Sequence, residues 1–434
     1  MVFVELAIVL GAIYLGARLG SIGIGFAGGL GVLVLGLLGV KPGGIPIDVI
    51  LIIMSVIAAI AAMQVAGGLD YLVRLAEKLL RKHPKYITYF APIVTYFMTM
   101  MAGTGHTAFS TLPVIAEVAK EQGIRPSRPL SIAVVASQVA ITASPISAAV
   151  VFFAGAMEPL GVDYLQILMV CVPTSLAAVI VTSVVTNFLG KDLKDDPIYQ
   201  QRLKAGLVQI RGVDNIKILP NALKSVWIFL IAIILVMLYA TMISDKVGII
   251  PKDKIILSRD NAIILFMLTA ASSIALFCKI ECSNVLNAST FKSGMSACVC
   301  ILGVAWLGTT FVNAHSKEIN DLAGGLLQSY PWLLAVALFF SSMLLYSQAA
   351  TARALMPLAI TLGATPVTLV ASFAAVSALF ILPTYPTLLA AVEMDDTGST
   401  RIGKYVFDHP FIIPGTLCLF FSVLFAFIFG GMVL

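Results

Sequence analysis

Charge is what this chain has least of. Only 11% of its 434 residues are charged, against about 25% in a soluble domain, while 59% are hydrophobic and the mean hydropathy is +1.01. That balance excludes an ordinary water-soluble enzyme and makes lipid the expected solvent. A secretory signal is also missing: no basic segment precedes the first apolar run, and no small-residue cleavage site ends it. Phe3–Ala17 therefore reads as a retained first span, and the length houses ten or so spans of about 20 residues. The six cysteines (171, 278, 282, 298, 300, 418) lie in or beside apolar segments and make no disulfide framework. Cys278-x3-Cys282 with Cys298-x-Cys300 is a poor metal site, because ionising four thiolates in an apolar run is expensive. HExxH is absent, and no metal, cofactor or nucleic acid is expected. Carboxylates are missing from the deep spans too, with Glu117 and Glu393 near span ends. Proton-driven pumps usually need buried carboxylates, so their lack favours exchange of one anion for another.

What is present is a pair of matching interruptions. The apolar runs break at Gly103-Thr-Gly-His-Thr-Ala-Phe-Ser-Thr-Leu-Pro113 and again at Ser347-Gln-Ala-Ala-Thr-Ala-Arg-Ala-Leu-Met-Pro357. At an offset of 244, Thr107 matches Thr351, Ala108 matches Ala352 and Pro113 matches Pro357. Each break is followed some 30 residues later by a second, Ser144-Pro-Ile-Ser147 and Pro383-Thr-Tyr-Pro386. Paired interruptions in two halves mark a carrier with its site at the bilayer midplane.

Charge placement sets the topology. Basic residues cluster at 74–85, 120–128, 191–224 and 401–404, and short basic loops stay in the cytoplasm. Residues 86–120 then have both ends inside, yet are too few for two spans of about 20 residues plus a turn. They are expected to form a re-entrant hairpin from the cytoplasmic side, turning at 103–107. Non-helical backbone at that depth is tolerated only where protein or a water-filled cavity surrounds it. Residues 331–363 form the mirror image, entering from outside and turning near Ser347–Ala350. The resulting split places 20 Lys/Arg inside and 6 outside (41, 246, 252, 254, 259, 317), with Arg353 inside the membrane. Both termini then lie outside.

The expected fold is all-α: a polytopic membrane transporter of two inverted repeats, each with a re-entrant hairpin and a broken helix. Residues 1–85 form the first scaffold and 86–157 the first transport half. Residues 158–224 supply a span and a cytoplasmic linker (190–224), 225–330 the second scaffold, 331–396 the second transport half, and 397–434 a loop and the last span.

Three local patterns have plain readings. Gly23-x-Gly25-x-x-Gly28 imitates a dinucleotide fingerprint but lies inside an apolar span, where Gly25-x-x-x-Gly29 offers a smooth packing face. Gly398-Ser-Thr-Arg-Ile-Gly-Lys404 imitates a phosphate loop, yet Tyr405 follows it and no strand precedes it. Asp70–Arg81 alternates apolar and basic residues as a helix on the cytoplasmic face does.

The candidate binding residues gather at the breaks. Arg353 is the one cation deep in the membrane, about 15 Å of helix from the hairpin's outer end, which is too far to snorkel. Guanidinium binds carboxylate bidentately, so Arg353 points to an anion. His106 in the first break is either a packing histidine or a proton-sensitive contact. Thr104, Gly105, Thr107, Ser144, Pro145, Ser147, Ser347, Gln348, Thr351, Pro383 and Thr384 complete the set, either as stitching between helices or as donors for an oxygen-rich solute.

Gly25-Phe-Ala-Gly-Gly-Leu-Gly-Val-Leu-Val-Leu35, Met63-Gln-Val-Ala-Gly-Gly-Leu-Asp70, Glu77-Lys-Leu-Leu-Arg81, Ala102-Gly-Thr-Gly105 and Ala140-Ile-Thr-Ala-Ser-Pro-Ile-Ser-Ala-Ala-Val150 closely resemble the anaerobic C4-dicarboxylate transporter (Dcu) family, with the DcuA-type branch nearest. The similarity runs over essentially the whole chain. It implies an inner-membrane exchanger taking up fumarate, aspartate or malate against succinate. It also implies a homodimer of the ion-transporter superfamily working as an elevator. His106 departs from the DcuA-type pattern, which has Asn there. A sodium-coupled symporter of the same fold is the nearer rival. The other is a membrane receptor that binds dicarboxylates without moving them, whose 190–224 loop contacts a sensor protein.

Overall fold

The computed structural model describes residues 2–19, 22–45, 47–208, 218–243, 249–315, 318, 329–383, 385–405 and 407–434; among these the chain is helical throughout, without a strand. Four long helices are apolar enough to cross a membrane: α9 (Tyr164–Thr186), α11 (Ala222–Met242), α12 (Arg259–Cys278) and α19 (Ile412–Val433). A fifth apolar stretch, Ser127–Leu160, is long enough but broken. In helix α3 (Ile47–Val65) the chain stops at Gly67, whose φ of +85° suits glycine, and α4 (Gly68–Lys82) leaves at 74°. Helix α4 buries Leu69, Val73, Ala76 and Leu80 and leaves its basic side out, as the pattern at 70–81 predicts.

The two hairpins follow from length and turn chemistry. Helices α5 (Ile87–Ala102, 16 residues) and α6 (Ala108–Glu121, 14 residues) reach about 24 and 21 Å, short of a 30 Å hydrocarbon core. Gly103, at φ +67°, ends α5 in the left-handed region and turns the chain. Counting the next helices in order as α7 (Ser127–Val139), α8 (Ala148–Met157), α10 (Pro197–Lys204), α13 (Cys282–Asn287) and α14 (Ser289–Ala314), the second hairpin is α15 (Leu333–Leu345, 13 residues) and α16 (Gln348–Thr361, 14 residues). Its turn is tighter than the expected 347–350. Tyr346, at φ +53°, and Ser347 make the whole reversal, and residues 348–351 already form the first turn of α16.

Both broken helices are present. Helix α7 tightens into a 3-10 turn at 140–143, unwinds through Ser144–Ile146 and restarts as α8, with the Ser147 hydroxyl capping the Val150 N–H. Its partner, α17 (Pro366–Ser372), also tightens, at 373–377, and α18 (Pro386–Met394) restarts the run. This second break is longer than the sequence indicates: its described residues are 378–383 and Tyr385, and Pro386 and Thr387 are already helical. The Ser342 hydroxyl, accepting from Ala378 N (3.1 Å), holds the point where it opens.

Around these elements, α9 packs along α19 at the centre, α5 along α7, and the 373–377 turn against α15. Helix α16 lies on α8, and α6 lies on α18. A flanking bundle forms from α1 (Val2–Leu19), α2 (Gly23–Leu37), α3, α11, α12 and α14. Here the packing expectation needs correction. A Cβ on Gly25 would stand 2.2 Å from the Val299 carbonyl oxygen of α14, and one on Gly303 1.8 Å from that of Gly25. Gly25 packs closely as expected, against Gly303 and Val299 of α14, but Gly29 faces open space and takes no part in the close approach.

Buried carboxylates are also more numerous than expected. Glu5, inside the first apolar run, pairs with the buried His315 at the end of α14. Asp395 is consumed by its own loop, accepting from Thr397 N, Ser399 Oγ and Thr400 N, which is why the 398–404 stretch has no cradle to offer a phosphate. The linker after α9 is ordered where described. Asp196 caps α10 and pairs with Arg125. Burial alone would raise its carboxyl, but the Ile198 N–H and Arg125 outweigh it and hold the pKa below the ordinary 3.8. Arg202 donates to Asp396 O and Arg128 to Leu189 O, tying linker, α7 and the 395–401 loop together.

Candidate functional site

The four short helices after the breaks start close to one another. Phe152, four residues into α8, lies under Arg353, five residues into α16, with 4.7 Å from guanidinium carbon to ring centre. These two helices therefore lie side by side. Lys120 near the end of α6 pairs with Asp396 just past α18, so those two also run together. Tip and break touch in both halves: Gly103 lies against Ile146, and Tyr346 stacks on Tyr385 with centroids 6.5 Å apart. The N-termini of α6, α8, α16 and α18 thus gather within the bundle. Each helix N-terminus carries roughly half a positive charge, and its first N–H groups lack intrahelical partners. This arrangement attracts anions without any lysine.

Most of the predicted hydroxyls are committed to the protein. Thr107 Oγ1 meets Thr99 Oγ1 at 3.0 Å and donates to Thr104 O at 3.1 Å, tightening the first tip. Ser147 Oγ donates to Ile141 O (2.7 Å) while capping α8. Ser144 Oγ accepts from Ile146 N, and Pro145 O accepts from the Tyr164 hydroxyl of α9. Ser347 Oγ caps Ala350 N, and Thr351 Oγ1 donates back to Ser347 O. These groups shape the breaks, and a ligand meets only their remaining lone pairs. Gly105 is buried against Ser137 and Ile141, Thr104 is half-buried, and Pro383 lies in the second break. The His106 side chain and Thr384 lie outside the described residues; His106 contributes its backbone to the 105–107 turn.

Arg353 is half-buried, and its Nε has no hydrogen-bond partner. Asp48 and Asp260, at the N-terminal ends of α3 and α12, act on its charge from the flanking bundle. At 100° per residue it projects about 140° around α16 from Gln348 and about 7.5 Å further along. The structure therefore sets Arg353 on the α8 side of α16, and Gln348 on another.

Sequence reasoning missed Gln138. It is the last residue but one of α7, is 1% exposed, and has no partner for either its Nε2 or its Oε1. Its own carbonyl accepts from Gln348 Nε2 at 3.2 Å, which puts it beside the start of α16. Each unmet hydrogen bond of a buried amide costs about 1–3 kcal/mol. Ser377 and Thr387 carry similarly unpartnered buried hydroxyls around the second break. A signal was available, since the offset of 239 that carries Ser144 onto Pro383 also carries Gln138 onto Ser377. The described cavity of about 30 Å³ near Met98 and Thr107 is lined mostly by methionine, leucine and phenylalanine, which suits no anion.

Comparison with known proteins places the chain in a family. The family model described as anaerobic C4-dicarboxylate membrane transporter matches residues 1–434. The chain is 65% identical to the C4-dicarboxylate transporter DcuA of Wolinella succinogenes and 61% identical to that of Escherichia coli strain K12, each over the full length of both chains. It is 36% identical to the anaerobic C4-dicarboxylate transporter DcuB of Escherichia coli O6:H1, over 99% of this chain and 98% of that one. Among solved structures, the YdaH transporter of Alcanivorax borkumensis shares the fold at TM-score 0.55 and 14% identity, covering 99% of this chain and 98% of that one. MtrF of Neisseria gonorrhoeae shares it at 0.51 and 15%, covering 86% and 80%. With its apolar helices, the chain is a multi-pass membrane transporter rather than an enzyme, and it belongs to the anaerobic C4-dicarboxylate membrane transporter family.

Proposed function

We propose that the chain exchanges C4-dicarboxylates across a bacterial inner membrane, taking up fumarate, aspartate or malate against succinate. The observation that carries this reading is the gathering of four half-helix N-termini where tips and breaks touch. Their partial charges, with Arg353, hold two carboxylates, while Thr104, Gly105, His106, Thr107, Ser144, Pro145, Ser147, Ser347, Gln348, Thr351, Pro383 and Thr384 frame the space. The packing of α6 on α18 and of α16 on α8 supports two inverted repeats. In that reading α1–α4 and α11–α14 form the scaffold, and the hairpins and broken helices move against it as an elevator in each protomer of a homodimer. The pair of Arg81 on α4 and Glu121 on α6, at 2.6 Å, then links scaffold to moving half and parts during transport.

Exchange is favoured because an empty site lined by positive ends crosses reluctantly. Vesicles loaded with succinate should take up labelled fumarate or aspartate in sodium-free buffer, and empty vesicles hardly at all. Equal uptake into empty vesicles, or a strict sodium requirement, would replace exchange by symport.

A further inference from the structure

We infer that Gln138 reads the substituent at C2 of the bound dicarboxylate. This inference rests on the dicarboxylate reading of the site. The amide is almost wholly enclosed, and neither end is paired within the protein. It sits where three parts of the site meet. The first tip lies alongside, since a Cβ on Gly105 would stand 3.6 Å from the Ser137 carbonyl. The start of α16 is tied to it through Gln348, and the first break begins at the next residue but one.

The chemistry of the amide narrows its partner. Its nitrogen donates and its oxygen accepts. Succinate and fumarate offer only acceptors at neutral pH, so either can satisfy Nε2 and neither can satisfy Oε1. Malate adds a hydroxyl at C2 and aspartate an ammonium, and each also supplies the missing donor. A site built to hydrogen-bond such a donor discriminates against the analogue lacking it, because a buried acceptor is otherwise left unpaired. The half-helix N-termini and Arg353 cannot make this distinction, because they recognise the carboxylates that all four acids share.

The test is competition in proteoliposomes: unlabelled succinate, fumarate, L-malate and L-aspartate against labelled fumarate uptake, for wild type, Gln138→Leu and Gln138→Met. Both replacements are apolar and of similar size, and removing an unpaired buried amide should leave the fold intact. If Leu fails to yield monodisperse protein, Met carries the comparison. The apparent affinities for malate and aspartate should fall at least tenfold more than those for succinate and fumarate, about 1.4 kcal/mol of lost discrimination. An equal change for all four acids, or none, overturns the inference while leaving the exchange reading intact. Absence of counterflow by the wild type with any of the acids overturns the exchange reading itself, and the inference with it.

Discussion

Replacing Arg353 with alanine should weaken dicarboxylate binding by ten- to a hundredfold or more while leaving the protein folded. A dicarboxylate entering the bundle loses its hydration, and matched charge with hydrogen bonds must replace it. Charge-assisted contacts contribute roughly 1.5–3 kcal/mol each, which sets the expected range. Arg353 is poised for this: its Nε is unpartnered, its guanidinium carbon lies 4.7 Å from the Phe152 ring centre, and Asp48 and Asp260 act on its charge. Lysine keeps the charge but loses the planar fork and the stack, so Arg353→Lys should be markedly impaired as well. Exchange should be measured together with size-exclusion profile and helix content. Normal affinity for succinate in a folded Arg353→Ala protein would make the arginine structural and the site misplaced.

The largest effect on stability should come from Gly303, in the flanking bundle. Its missing Cβ is what lets α14 reach the Gly25 carbonyl of α2, at a point where backbone, not a flexible side chain, is the obstacle. Gly303→Ala should force the helices apart and loosen the nearby cluster of Val32, Leu35 and Leu307, costing about 1–3 kcal/mol or more. Gly29→Ala meets open space and removes a helical glycine, so it should be neutral or stabilise by up to about 1 kcal/mol. Thermal unfolding midpoints in detergent separate the two. Equal midpoints for both variants would contradict the proposed close approach.

The contrast at these glycines shows what was legible. A glycine spacing tells that helices can come close, but the partner lies 278 positions away in another helix and leaves no mark near Gly25. The hairpin tips and the first break were readable because Gly103, Pro145 and the flanking hydroxyls interrupt apolar runs that otherwise have no reason to stop. The second break opens within Ala378-Leu-Phe-Ile-Leu382, residues as apolar as any helix, and contacts from distant Ser342 and His409 hold it open. Hydroxyls at the breaks were readable as a group, but residue type does not separate a ligand from a cap. Thr107, Ser147 and Thr351 proved to hold the backbone. Gln138 was hidden for the opposite reason: one glutamine in a long apolar run looks like tolerance until its amide is seen enclosed and unpaired.

The account stands most directly on two hairpins that enter from opposite sides. In a protein with its native cysteines replaced, single cysteines at Gln122, just past α6, and at Ala364, just past α16, should be labelled by a membrane-impermeant maleimide. Gln122→Cys should react only from the cytoplasmic side and Ala364→Cys only from the periplasmic side. Labelling of both from one side would contradict the opposed hairpins, and with them the inverted repeats.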